Sequence, residues 1–428
     1  MSLAAGSLVE LAILRLGSQG DGEADFDGQR VRLPLSLPGE RWQARLVRRA
    51  RDGWDAEPVT CLEGSSRAEP PCRHFGTCGG CRLQHLPAAA YTAFKVGRIR
   101  TALARRGLAD VEIAEPLVSP PGSRRRLRLA WTRAGRRLLL GLRERRSHRL
   151  VDLAQCPVAR PELVAALAPL RLFLAGESWA EGEASLTLTP QGLDLLLDLP
   201  KPPDAAARLR LTAFAAEAAL ARIACRSAGE PEPVVVPRRP MLDLDGTAVP
   251  LPPGSFLQAT AEGEAALRIV VAGQVRKGDR VVDLFAGLGT FAVAALRAGA
   301  ATVRAVEVDA AACAALTAAR VPGIVAERRD LERRPLAGSE LARTDLAILD
   351  PPRAGAADQV RLLGEARELE RIAYVSCDPE SFARDARTLV DAGFALERVQ
   401  PVDQFLWSAE VELAAAFRRH SGIRRGRA

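Results

Sequence analysis

The sequence predicts an α/β protein with two added parts: an N-terminal all-β barrel, a central α+β region, and a C-terminal domain built on a parallel-rich sheet. Three observations carry this expectation. At 428 residues the chain is too long for one core of ordinary size, so about three domains are expected. In the first 62 residues, short apolar runs are separated by Gly, Asp and Pro. Beyond residue 240, buried-strand runs alternate with alanine-rich helical stretches, as in a parallel sheet covered by helices.

Composition excludes several classes. With 48% hydrophobic and 26% charged residues the chain folds rather than staying disordered. Its longest uncharged apolar stretch, Leu284 to Leu296, has 13 residues, short of the ~18 that would suggest a membrane span. No basic segment precedes the first apolar run, so a cytoplasmic protein without a membrane partner is expected. Eight cysteines in such a chain point to a metal or a reactive thiol rather than to a disulfide framework.

Taken in order, the runs Val9 to Leu16, Arg30 to Leu35, Arg41 to Val47 and Asp55 to Leu62 define the small barrel or sandwich, residues 1–62. A central part, 63–240, opens on a cysteine-rich stretch. A helix is expected from Ala88 to Gly107, with a basic face of Lys95, Arg98, Arg100, Arg105 and Arg106. Next, Arg126-Leu127-Arg128-Leu129 and Leu138 to Leu142, split by Ala134-Gly135, read as two strands and a turn. After Pro200 to Pro203 an alanine-rich helical stretch is expected to reach about Cys225, and Pro231 to Pro240 reads as a linker. Residues 241–428 form the third domain.

Charge is concentrated. The net charge is +8, and only Lys95, Lys201 and Lys277 are lysines. Between Arg124 and Arg149 stand eleven arginines and one acid, Glu144, a local charge of +10 that leaves −2 for the rest. Arginines along one face of a β-ribbon offer bidentate donors to phosphate oxygens, so nucleic acid is the expected partner. The bland alternative is arginine-biased usage spread over a solvated surface.

In the third domain, Arg280 to Leu284 is a short apolar strand that runs into Phe285-Ala286-Gly287-Leu288-Gly289-Thr290, a glycine turn opening a helix. Nucleotide-like ligands bind at such turns, and an acid ending the next strand accepts hydrogen bonds from a ribose. Here that acid is Glu307, twenty residues after Gly287. Because Gly287, Gly289 and Ala292 also satisfy a dinucleotide pattern, a dinucleotide-dependent iron-sulfur oxidoreductase stays open. The next two strands run into Asp350-Pro351-Pro352-Arg353 and Ser376-Cys377-Asp378-Pro379, and both tetrads should face the same pocket. Cys72, Cys78, Cys81 and the distant Cys156 supply four thiolates, enough for tetrahedral zinc or a four-iron cluster, and spacing alone does not choose.

Matching elements run through nearly the whole chain: Leu16-Gly17, Leu37-Pro38-Gly39-Glu40, Cys72-x5-Cys78-Gly79-Gly80-Cys81-x2-Gln84-His85, Cys156-Pro157, Gly254-Ser255-Phe256-Leu257-Gln258, the glycine turn, the two tetrads and Val411-Glu412. In this the chain resembles the S-adenosylmethionine-dependent RNA (uracil-5-)-methyltransferases, in particular the 23S rRNA members with a TRAM domain and an iron-sulfur cluster. The resemblance implies a Rossmann-like class I methyltransferase domain, an OB-like TRAM barrel over 1–62, and a central iron-sulfur and RNA-binding domain. It implies S-adenosylmethionine contacts from Gln258, Phe285, Gly287, Gly289, Thr290, Glu307 and Asp350, with Asp330 near the adenine. It also implies a [4Fe-4S] cluster on Cys72, Cys78, Cys81 and Cys156, and a monomer acting on 23S rRNA, or alternatively tRNA, through the Arg124 to Arg149 ribbon and the barrel. Thr260 and Thr290 stand where the family has asparagine, and Leu406 and Glu410 where its last motif has proline and histidine.

The chemistry accounts for the residue types. Uracil C5 is a poor nucleophile until a thiolate adds at C6, and the C5 proton must then be removed by a base. The resemblance gives these roles to Cys377 and Glu412. Thiolate is a minor species at the usual cysteine pKa, so Arg353 is expected to lower that of Cys377. The target uridine must be flipped out or lie in a loop to be reached.

Overall fold

The computed structural model describes residues 4–135 and 137–420. Arg136 of the ribbon and the extreme ends of the first and third expected domains lie outside the described residues.

The first sheet has six strands, in the order Leu8–Ala12, Arg41–Ala50, Gly53–Glu63, Gln29–Leu33, Gly22–Phe26 and Arg15–Leu16. Alternation is plain in Leu8–Ala12, where Val9 and Leu11 turn inward onto Val31, Leu33, Ala44, Leu46 and Trp54. Backbone bonds from Ile13 to the Glu40 carbonyl and from Leu14 to the Glu23 carbonyl draw the two edges together, which makes the sheet barrel-like. Gly53 has φ +143°, and a Cβ there would lie 1.8 Å from the Arg30 carbonyl oxygen, so this close approach requires glycine.

A second sheet of seven strands runs Leu150–Asp152, Arg137–Arg143, Arg126–Ala134, Glu181–Thr189, Gly192–Asp198, Arg222–Arg226, Glu232–Val235. The expected ribbon is the hairpin that forms its second and third strands. Helices Leu167–Gly176 and Ala205–Glu217 contribute Leu170, Leu174, Leu211 and Phe214 to its core. Two expectations fail here. The alanine-rich helix stops at Glu217, and Arg222–Arg226 is a buried strand instead. The proline-rich linker contains the strand Glu232–Val235, which prolines tolerate because it lies at the sheet's edge.

The third sheet has eight strands: Ile324–Arg328, Thr302–Glu307, Arg280–Leu284, Leu346–Leu349, Arg371–Ser376, Glu412–Arg419, Phe394–Asp403 and Leu117–Val118. The first five are parallel, and Glu412–Arg419 enters antiparallel. Leu346–Leu349 and Arg371–Ser376 are buried throughout, as strands covered on both faces must be. The last strand comes from the region expected to be central. The helix Ala88–Ala104 likewise buries Ile99, Ala102 and Leu103 in the core of this third sheet, so residues 88–118 pack with the C-terminal unit. Its Lys95 is buried, not part of a free basic face. Among the described residues no helix is long and apolar enough to cross a membrane.

Candidate active site

Both tetrads come after neighbouring parallel strands, so Asp350 and Cys377 emerge at the same carboxyl edge as the glycine turn. The turn needs left-handed backbone at Phe285 (φ 62°), Gly287 (φ 53°) and Gly289 (φ 85°). Thr290 then opens the helix Thr290–Arg297. A Cβ on Gly287 would meet nothing within 4 Å, so room for a ligand opens beside the turn. Below it Asp283 is fully buried and neither carboxyl oxygen has a hydrogen-bond partner. Burial, then the neighbouring Asp350, holds the Asp283 carboxyl well above the usual carboxylate range.

Glu307 ends the next strand, as expected, and accepts backbone N–H bonds from Gly287 (2.9 Å), Val308 (2.8 Å) and Asp309 (2.9 Å). A carboxylate has lone pairs beyond these three. Asp350 accepts from Gln258 Nε2 at 3.1 Å, and burial pushes it up to about 7. Asp330 caps a turn, accepting from Glu332 and Arg333 N–H. Phe285 packs partly against the core of the third sheet.

Strand register brings the remaining pair together. Ser376 faces Leu413 in the antiparallel ladder, so Cys377, one residue on, comes level with Glu412, one residue back. Neighbouring strands lie about 5 Å apart, which sets the scale of the gap. Asp378 caps the helix Pro379–Asp391 by accepting from Glu380 and Ser381 N–H, which leaves Cys377 just ahead of a helix N-terminus. Glu412 is 3% exposed, and burial together with Asp350 pushes it up to about 8.

The thiol expectation is corrected. Burial, reinforced by Glu412 and Asp350, pushes Cys377 up to about 12. Arg353 acts in the expected downward direction and is outweighed, because its guanidinium is shared between Glu410 (2.8 Å) and Asp378 (3.5 Å).

The arginine ribbon is largely engaged within the chain. All ten described arginines of the Arg124 to Arg149 window have intramolecular partners. Arg125 binds the Gln258 carbonyl and Glu264, Arg126 the Leu257 carbonyl, and Arg133 carbonyls of residues 174–179. Arg145 and Arg146 bind Asp21 of the barrel. The others engage nearer groups: Arg124 the Arg126 carbonyl, Arg128 Glu183, Arg137 Asp152, Arg143 His148, and Arg149 Glu144. Much of the +10 window therefore joins parts of this chain, Arg125 and Arg126 by fixing the 257–258 segment that carries Gln258.

Cys72, Cys78, Cys81 and Cys156 line one cavity of about 400 Å³, and none is in a disulfide. Burial pushes the thiol of Cys81 up to about 12 and raises those of Cys78 and Cys156. Among the described residues, no three His, Cys, Asp or Glu are gathered as a ligand set for a metal ion.

Comparison with known proteins adds the family. A family model for tRNA (Uracil-5-)-methyltransferase matches residues 288–420. An uncharacterized RNA methyltransferase of Caulobacter vibrioides is 42% identical over 428 residues, covering 96% of this chain and 100% of that protein. The 23S rRNA (uracil(1939)-C(5))-methyltransferase RlmD of Halomonas elongata is 35% identical, covering 94% and 88%. The chain belongs to the RNA (uracil-5-)-methyltransferase family. Its fold is shared with the tRNA (uracil-54, C5)-methyltransferase of Pyrococcus abyssi, whose crystal structure is a complex with S-adenosyl-L-homocysteine; the TM-score is 0.72 at 23% identity, covering 96% of this chain and 100% of that one. This RNA methyltransferase is therefore no dinucleotide-dependent oxidoreductase.

The RNA methyltransferase also carries groups that the sequence reading missed. Gln404 donates to Glu412 Oε2 (2.9 Å) and Gln258 Oε1 (2.6 Å). Lys95 and Tyr91 bind the buried Asp403 beside it. A signal existed for Asp283, a charged residue between the buried apolar Val282 and Leu284. None existed for Gln404, a polar residue in a loop.

Proposed function

We propose that this enzyme methylates C5 of a uridine in 23S rRNA, with S-adenosylmethionine as methyl donor, Cys377 as nucleophile and Glu412 as base. The observation that carries the reading is the ladder register that sets Cys377 level with Glu412 beside Asp350. Similarity to RlmD of Halomonas elongata over nearly the whole chain favours rRNA over tRNA.

The pocket suits the donor. Open space at Gly287, acids at Glu307 and Asp350, and the unpartnered Asp283 fit a ligand with hydroxyl donors and a cationic end. Gln258, Phe285, Gly287, Gly289, Thr290, Glu307 and Asp350 would hold it, with Asp330 toward the adenine. When bound, S-adenosylmethionine supplies an electrophilic methyl group on a sulfonium.

Cys377 sulfur adds to C6 of the flipped uracil and raises electron density at C5. Once C5 is alkylated, Glu412 takes its proton. The electron pair re-forms the C5–C6 double bond, and the Cys377 thiolate leaves. Burial of Glu412 keeps water from competing for the base position, while the half-buried Cys377 stays open to the ring.

The four cavity cysteines, half-buried and in no disulfide, have the donor chemistry of a [4Fe-4S] site, whose iron would share the charge of their thiolates. We assign residues 1–62 as a TRAM barrel, 63–240 as the central RNA-binding part except for 88–118, and 241–428 together with 88–118 as the catalytic part of a monomer. RNA is met by the barrel and by the most exposed ribbon side chains, Arg128 (69%), Arg137 (72%) and Arg149 (82%), whose surface ion pairs are weak enough to be exchanged for phosphate.

The test uses Cys377→Ala. It should still bind S-adenosylhomocysteine, lose methyl transfer, and give no covalent adduct with 5-fluorouridine RNA, whereas the wild type forms one. Full activity in this variant overturns the mechanism. Mapping 5-methyluridine in RNA from cells with and without the gene decides the substrate; loss of a tRNA site instead of a 23S rRNA site overturns that assignment. Anaerobically purified protein should hold about four iron atoms per chain, and stoichiometric zinc would refute the cluster.

A further inference from the structure

Gln404 is the hinge of a hydrogen-bond chain between the two halves of the site. Its side chain is buried. Its Oε1 accepts from Ala259 N–H at 2.8 Å, and its Nε2 donates to Gln258 Oε1 at 2.6 Å and to Glu412 Oε2 at 2.9 Å. An amide nitrogen has two hydrogens, and both are placed. The orientation is forced, because a flipped amide would point its NH₂ at the Ala259 N–H and offer oxygen to Glu412, losing every bond. Gln258 in turn donates to Asp350, so the sequence Asp350, Gln258, Gln404, Glu412 is continuous.

The backbone next to Gln404 is pinned as well. Asp403 is buried and held by Lys95 Nζ at 2.8 Å and by the Tyr91 hydroxyl. Lys95 also donates to the carbonyls of Phe405 and Glu410 on either side of the adjoining loop. Gln404 therefore sits on a fixed base and aims a donor at one oxygen of Glu412. The other oxygen is left to accept a proton.

We propose that Gln404 is a positioning residue for proton removal from C5: it orients the Glu412 carboxylate and links that orientation to Gln258 on the cofactor side. This rests on the reading of Glu412 as the base. A donor on Oε2 stabilises the ionised carboxylate against burial, so its loss should raise the pH at which Glu412 can act. The other charged and titratable groups facing Glu412 are Asp350 and Cys377, and neither donates to it.

The proton step comes after carbon–sulfur bond formation, so the two can be read separately. The probe is ribosomal RNA from cells lacking the gene, with full-length enzyme in single turnovers, next to the same RNA substituted with 5-fluorouridine. In Gln404→Met, release of methylated RNA should fall roughly ten- to a hundredfold, the loss of one hydrogen bond to a charged group. KM for RNA should stay within about twofold, and the pH profile should move to higher pH. A covalent enzyme–RNA adduct should accumulate on ordinary uridine, while adduct formation on 5-fluorouridine RNA keeps its wild-type rate. Equal slowing on both RNAs, or wild-type release, overturns the proposal. Gln404→Glu keeps the acceptor for Ala259 N–H and serves if the methionine variant does not fold; it should show the same pattern. If instead the wild type forms no 5-fluorouridine adduct, it is the nucleophile assignment that fails.

Discussion

Replacing Glu412 by Gln should make the protein more stable while removing its activity, and the gain should depend on pH. Burial raises this carboxyl from the usual 4.5 to about 8. Over that window the folded chain keeps a proton that the unfolded chain has released, so folding becomes less favourable as pH rises from 4.5 toward 8, and below 4.5 the effect vanishes. At about 1.4 kcal/mol per pH unit, the cost is about 3 kcal/mol at pH 7 and approaches about 5 kcal/mol above pH 8. Glutamine stays neutral throughout, and its amide oxygen can still accept from Gln404. Urea denaturation at pH 5, 7 and 8.5 measures the difference between variant and wild type, which should widen steadily with pH. Turnover should fall by about 10²- to 10⁴-fold, the usual worth of a general base. A stability difference equal at pH 5 and 8.5, or a variant less stable than wild type at pH 8.5, would refute the reasoning.

Three further outcomes are expected. Wild-type turnover should climb from pH 7 to 9, since both Cys377 and Glu412 must lose protons that burial makes them keep; a flat profile would contradict the two shifts. Lys95→Met leaves Asp403 buried with a charge partner removed and should cost about 3–5 kcal/mol in chemical denaturation, with turnover falling alongside because Gln404 loses its fixed base. Gly289→Ala forces alanine to φ +85° with its Cβ 2.7 Å from Leu316 Cδ1, so S-adenosylhomocysteine binding by calorimetry should weaken about tenfold for a strain of roughly 1–2 kcal/mol; unchanged affinity would show that the turn does not hold the ligand.

The catalytic half of the fold was legible because its signals are local. A buried parallel strand is a run of four to six apolar residues, and the residues directly after it must lie at the carboxyl edge, so the positions of Asp350 and Cys377 could be read from the order of residues alone. Composition misled where tertiary context decides. Alanine-rich sequence extended the helix past Glu217 because Ile223, Ala224 and Cys225 form a strand too short to show a period. Residues 88–118 come after the cysteine stretch in sequence yet pack on the third sheet, a non-local choice that no window of residues contains.

Charge was the least legible property, for one physical reason that covers both the arginines and the thiol. Sequence counts charges but not the groups that face them or the water they lose. The +10 window looks like a phosphate clamp until Arg145 is found on Asp21 and Arg125 on Glu264 and the Gln258 carbonyl; there the guanidinium fork serves as a joint between domains. Arg353 looked close enough to Cys377 to favour thiolate, and it is, but desolvation and two carboxylates outweigh one shared cation. The same desolvation raises Asp350, Glu412 and Asp283 together, so the pocket by itself favours protonated, neutral groups. On the proposed roles, Cys377 and Glu412 are both held short of their active forms by this desolvation, and the hydrogen bond from Gln404 and the pull of Arg353 are the groups that oppose it.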